Sequence, residues 1–171
     1  MIQETFIQVL GQYYGLLSLT IVFPIYTLYI LWRNKWIVPH SISDSYYILK
    51  KKERNEEILF SVFTFFLGIG TILHYPSSFL FFPAGMGFFW VGTQTQFKGI
   101  SIKRDIHYIG AVLGIVCSLV GLLLNGIWLP LPLWLGGSLL LSTQLDYKGG
   151  TLIFWAEILA FIVIIGGLWV L

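Results

Sequence analysis

Six apolar runs, at roughly 10–32, 58–75, 78–96, 106–125, 127–142 and 151–171, alternate with polar connections along the 171-residue chain. Five of the six reach the length of about 17–25 residues that a helix needs to cross a hydrocarbon core of roughly 30 Å. The fifth run, from Ile127 to Ser142, is shorter and opens with Pro130 and Pro132. Proline is tolerated in a helix's first turn, where its missing N–H would have no partner anyway. A closed β-barrel is the rival way to span a bilayer, but it needs alternating polarity in segments of about ten residues. The run from Ile109 to Leu124 does not alternate. The pattern therefore predicts an all-α integral membrane bundle of six transmembrane helices, forming a single domain over residues 1–171.

Composition supports lipid as the main solvent. Hydrophobic residues make up 57% of the chain and charged residues 11%, with a mean hydropathy of +0.82. A soluble domain carries about 25% charged residues, and half that density cannot cover a folded surface with polar groups. A net charge of +2 is too small to argue for nucleic acid as a partner, and no basic tract reads as a polyanion groove. The single cysteine, Cys117, excludes an intrachain disulfide. Residues 1–6 hold no basic residue ahead of the first apolar run, unlike a cleaved signal peptide.

The ten basic residues fall on one side of this topology. Arg33, Lys35, Lys50, Lys51, Lys52 and Arg54 follow the first run. Lys98, Lys103 and Arg104 follow the third, and Lys148 follows the fifth. The connections His74-Tyr75-Pro76-Ser77 and Asn125-Gly126 carry none. Under the positive-inside rule, loops 33–57, 97–105 and 143–150 are cytoplasmic and both termini lie on the non-cytoplasmic side of the plasma (inner) membrane. Trp32, Trp36 and Trp155 then sit at the cytoplasmic interface, and Trp128 and Trp169 at the outer one, where amphipathic rings prefer to lie. Small-residue rows such as Gly110, Gly114 and Ser118 suit close helix packing. They predict internal bundle contacts first and allow a homodimer through small-residue helix faces.

Topology also sorts the polar chemistry. His40, Asp44, Asp105, His107, Asp146 and Glu157 fall toward the cytoplasmic face, whereas His74 falls at the outer end of the second run. The stretch Val38-Pro39-His40-Ser41-Ile42-Ser43-Asp44-Ser45-Tyr46-Tyr47 is the richest in such groups. Ser41 to Asp44 reads as a capped helix start, with Asp44 placed for the helix dipole. Tyr46 and Tyr47 read as interfacial belt residues. Asp105 reads as a cap of the fourth run, paired with Lys103 or Arg104. Glu157 lies about two turns into the sixth run. A charged group at mid-membrane costs about 2.5–3.5 kcal/mol, so an intramembrane carboxylate is a functional candidate, with His107 or Lys148 as its expected partner.

The segment Ser41-Ile-Ser-Asp-Ser-Tyr-Tyr47, taken with Ile106-His-Tyr-Ile-Gly-Ala111, resembles a group of uncharacterised small bacterial and phage multi-spanning membrane proteins. These pair an S-I-S-x-x-Y-Y segment after the first span with an H-Y-x-G-A start to a later one. The resemblance includes Ala84-Gly85 and the stretch from Gly92 to Phe97, and covers about half of the chain. It implies a membrane bundle but no activity. A fainter similarity is to the ceramidase and progestin-receptor-like membrane hydrolases, which use a Ser, an Asp and three His around zinc. This chain departs from them in having six spans and no H-x-x-x-H pair.

Two functions from different classes follow. One is a binding bundle without cofactor, whose cytoplasmic mouth uses Ser43, Asp44, Asp105, His107 and Glu157 to hold a small polar ligand, a lipid headgroup or a partner protein. The other is a hydrolase of a lipid or amide in which His40, Asp44, Asp105 and His107 hold zinc and activate water. A small transporter subunit is a weaker third.

Overall fold

The computed structural model describes residues 2–52, 56, 58–74, 77–94, 101–144 and 151–171. Arg54, Lys98, Asp146 and Lys148 lie outside the described residues. Every described element is helical: α1 (Ile2–Arg33), α2 (Ser45–Lys52), α3 (Ile58–Ile72), α4 (Phe81–Thr93), α5 (Ser101–Leu124), α6 (Pro130–Gln144) and α7 (Leu152–Val170). Each apolar run became one helix, and the polar stretch after the first run added α2. Three helices are long and apolar enough to cross a membrane, over Val9–Arg33, Ile102–Leu124 and Leu152–Val170. Ile58–Ile72 is apolar but shorter.

Helix ends follow from local chemistry. Gly126 closes α5 at φ +80, with Gly126 N–H donating to Leu123 O at 3.0 Å and Ile127 N–H to Leu122 O at 3.0 Å. This is a Schellman arrangement, in which a left-handed residue lets the chain satisfy the last carbonyls. The end of α1 repeats it without glycine. Lys35 and Trp36 adopt φ 54 and 64, while Lys35 N–H reaches Trp32 O and Trp36 N–H reaches Leu31 O. Left-handed backbone costs a non-glycine residue about 1–2 kcal/mol. Here the side-chain amide of Asn34 donates to Ile37 O at 2.6 Å and holds the turn. The chain is thereby folded back beneath the bundle at Val38.

The core is a ring of five helices. α4 packs between α3 and α5, α1 lies against α3, and α7 closes the ring by touching both α5 and α1. Its centre is aromatic: Phe161 of α7 meets Phe23 of α1 at 5.3 Å and Phe88 of α4 at 5.6 Å between centroids. Tyr26 stacks on Phe63 at 4.2 Å. α6 sits outside this ring, chiefly on α7, and leaves Leu133, Leu135, Leu139 and Leu140 exposed. The expected belt role holds for neither tyrosine equally: Tyr46 is 3% exposed and belongs to the core, whereas Tyr47 is half-buried.

The α4–α5 contact depends on backbone-to-backbone approach. A Cβ added at Gly87 would meet Gly110 O at 2.5 Å and Gly114 N at 2.7 Å. Neither atom can rotate away. Gly136 on α6, by contrast, has nothing within 4 Å of such a Cβ. Gly87→Ala is expected to lower stability by about 1–3 kcal/mol through overpacking, seen as a lower unfolding temperature in detergent. Gly136→Ala should leave that temperature unchanged.

Candidate functional site

The site begins with the segment between α1 and α2. His40 O accepts a hydrogen bond from Phe154 N–H at 3.0 Å. Phe154 lies in the first turn of α7, where backbone N–H groups lack a partner within the helix. Two residues further on, Ile42 N–H donates to Glu157 Oε2 at 2.6 Å. The first two turns of α7 therefore grip residues 40–42 by one backbone and one side-chain contact. Among the described residues, the hydrogen-bond partner of Glu157 is this Ile42 N–H rather than His107; Lys148, the other expected partner, lies outside the described residues.

The three serines of this segment divide the labour. Ser41 Oγ accepts from Asp44 N–H at 3.1 Å, the cap that the S-x-x-D spacing anticipates. Ser45 Oγ donates to Ile42 O at 2.5 Å and meets Tyr26 OH at 2.5 Å, tying α2 to α1. Ser43 alone turns across to another part of the bundle. Its Oγ lies 2.9 Å from His107 Nε2 on α5, although the two residues are separated by 64 positions in sequence. His107 is 1% exposed. Its ring also interacts with the backbone carbonyls of Val91 and Gln94, at the C-terminal end of α4, and with the Asp44 carboxyl.

A chamber of about 320 Å³ opens where these pieces meet. The segment contributes His40, Ser41, Ser43 and Asp44, and α7 contributes Ile153 and Glu157. His107, Tyr108 and Ala111 line it from α5. Toward the aromatic core it continues into a void of about 30 Å³ that shares Ser43, Ala111 and Glu157 as walls. Among the described residues, no lysine or arginine lines the chamber.

Ser43, Asp44, His107 and Glu157 thus surround one space, together with His40. Asp105 does not line it. α5 starts at Ser101, which puts Asp105 past the cap and two residues from His107, on the opposite face of the helix. Its side chain is 61% exposed and faces Arg104 Nε at 3.6 Å. His74 is a satisfied buried histidine at the other end of α3, with Nδ1 2.9 Å from Gly70 O. Among the described residues, no group of three or more His, Cys, Asp and Glu side chains is arranged to hold a metal ion. Ser41, Tyr108 and Ile153 are chamber residues that sequence reasoning did not single out. Only the one-turn spacing of Ala111 from His107 and of Ile153 from Glu157 would have pointed at these faces.

The Glu157 contact is testable because its two halves can be separated. Glu157→Gln keeps an oxygen that accepts from Ile42 N–H, so its unfolding temperature should stay close to that of the unmodified protein. Glu157→Leu strands that buried N–H, which costs about 1–3 kcal/mol, and should unfold several degrees lower by circular dichroism in detergent.

Comparison with known proteins adds nothing to this geometry: no protein-family model, curated protein or solved structure matches the chain.

Proposed function

We propose that the chain is a multi-pass protein of the plasma (inner) membrane, with six spans and both termini outside, whose cytoplasmic-face chamber binds a small polar ligand or lipid headgroup. The membrane placement is supported by three helices of spanning length and composition and by the confinement of basic residues to odd-numbered loops. The shorter helices α3, α4 and α6 complete the count on this reading, tilted or extended by their flanking residues. The resemblance of Ser41–Tyr47 and His107–Ala111 to small bacterial and phage membrane proteins fits the same architecture.

One observation carries the binding function. Three elements remote in sequence deliver His40, Ser43, Asp44, His107 and Glu157 to the wall of a single chamber. Sites of about this size, mostly apolar with a few convergent polar groups, are the usual form of a small-molecule pocket. With two carboxyl side chains in its wall, the chamber favours hydroxyl or amine groups over phosphate. Asp44 and His107 supply hydrogen-bonding groups of opposite character, so a polyhydric head has both donors and acceptors to meet.

The test uses 1-oleoylglycerol as the probe, added to detergent-purified full-length protein. A rise in unfolding temperature is expected, because a ligand that binds only the folded state stabilises it. Asp44→Asn and His107→Gln should shrink that rise while leaving the ligand-free unfolding temperature in place. If both variants merely unfold earlier without probe, the residues are structural and the binding function fails.

A further inference from the structure

The chamber has a second wall that opens sideways. A groove of about 270 Å³ lies among α5, α6 and α7, lined by Ile115, Trp134, Ser138, Leu152, Ala156 and the two residues it shares with the chamber, Ile153 and Glu157. It exists because α6 stands outside the five-helix ring and packs mainly on α7. Its walls are apolar except for Ser138, whose buried Oγ has no hydrogen-bond partner among the described residues, and Glu157. In a bilayer this groove faces acyl chains, whereas the chamber faces the polar boundary. The two spaces meet at the level where an amphiphile carries the bond between head and tail.

The Ser43–His107 pair lines the chamber side of that junction. The hydroxyls of Ser41 and Ser45 build the local turn, so Ser43 is the one serine of the three aimed at a base. A serine hydroxyl within 2.9 Å of an imidazole nitrogen is the geometry by which histidine activates a nucleophile. The Asp44 carboxyl lines the same chamber as the His107 ring.

Resting on the binding chamber proposed above, we propose that Ser43 and His107 form a nucleophile–base pair that hydrolyses a phosphate-free acyl ester of a membrane amphiphile, admitted through the groove between α5, α6 and α7. Ser43 Oγ attacks the ester carbonyl carbon as its proton passes to His107 Nε2. The carbon–oxygen bond to the alcohol breaks, and His107 returns the proton to the departing alkoxide oxygen. Water then enters the chamber, gives a proton to His107 and attacks the acyl-Ser43 carbonyl. Release of the carboxylic acid restores the serine hydroxyl with the proton from His107. One ester and one water become one acid and one alcohol, with no oxidant, reductant or metal in the balance. The two carboxyl side chains in the chamber wall, Asp44 and Glu157, set the preference for a head without phosphate.

Full-length protein in lipid nanodiscs is treated with an alkyl fluorophosphonate, which phosphonylates an activated serine and loses fluoride, and the adduct is mapped by peptide mass. The expected adduct lies on Ser43, disappears in Ser43→Ala, and falls about 100-fold in rate in His107→Gln, the scale on which a positioned base acts. Hydrolysis of 1-oleoylglycerol should fall in parallel. An ordinary serine hydroxyl is inert to this reagent, so the unmodified protein alone decides the matter even if a variant fails to fold. No adduct, an adduct on another serine, or Ser43 labelling unchanged in folded His107→Gln overturns the assignment. Protein that gains thermal stability from 1-oleoylglycerol yet neither labels nor hydrolyses it keeps the binding function and loses the dyad. Protein that does not respond to 1-oleoylglycerol loses both.

Discussion

The contact on which the site depends is the grip of α7 on residues 40–42. A polar segment emerging from a membrane helix would ordinarily run along the interface and satisfy its backbone with water. Here Phe154 N–H and Glu157 Oε2 take the His40 carbonyl and the Ile42 N–H. The segment is thereby pulled under the bundle, and each partner satisfies a backbone group that would otherwise be left without one. Without this contact the Ile42 N–H would be a buried donor with no partner, a penalty of about 1–3 kcal/mol. Everything else at this end follows. Ser41 can cap α2, Ser45 can reach Tyr26, and Ser43 is left facing His107.

The same contact explains why a carboxyl group persists in an otherwise apolar helix. α7 runs from Leu152 to Val170 with Glu157 as its one acidic residue, and such a group is expensive in lipid. Turned toward residues 40–44, it borders the chamber, the groove and the small core void alike. The residue is structural and functional at once: its bond to Ile42 shapes the wall of which it is part. Beneath it Phe63, Phe88 and Phe161 line the small core void that shares Ser43, Ala111 and Glu157 with the chamber. The close α4–α5 approach at Gly87 and Gly110 brings the α4 carbonyls up to His107.

Much of this architecture was legible in the sequence, and the failures have physical causes. Apolar runs located six helices because a backbone in lipid has no alternative to internal hydrogen bonds. Their ends were less legible. α5 begins at Ser101, five residues before the apolar run, because a helix can continue through Lys103, Arg104 and Asp105 once it has left the hydrocarbon. α2 was visible only as the Ser41-to-Asp44 cap. The gathering of Ser43, Asp44, His107 and Glu157 on one face followed from loop parity, but their actual partners did not. Ser43 and His107 are joined by tertiary packing across 64 residues, and no spacing encodes that. Asp105 looked as suitable as His107, yet helical geometry puts the two on different faces, and only one turns inward.

The most direct measurement concerns the convergence of the α1–α2 segment with α5 over a common chamber. His40 and Tyr108 both line it and both are exposed, so cysteines at these positions should tolerate substitution. His40→Cys with Tyr108→Cys, in a Cys117→Ala background, is treated with a short bifunctional thiol reagent that fluoresces only on bridging two sulfurs. The account predicts strong bridging fluorescence in the double variant. Each single-cysteine variant should be alkylated without that signal, as should the pair His40→Cys and Asn125→Cys, because Asn125 lies past the end of α5 remote from Tyr108. Alkylation of both cysteines at 40 and 108 without bridging would show that the segment does not fold beneath the bundle, and the chamber would fall with it.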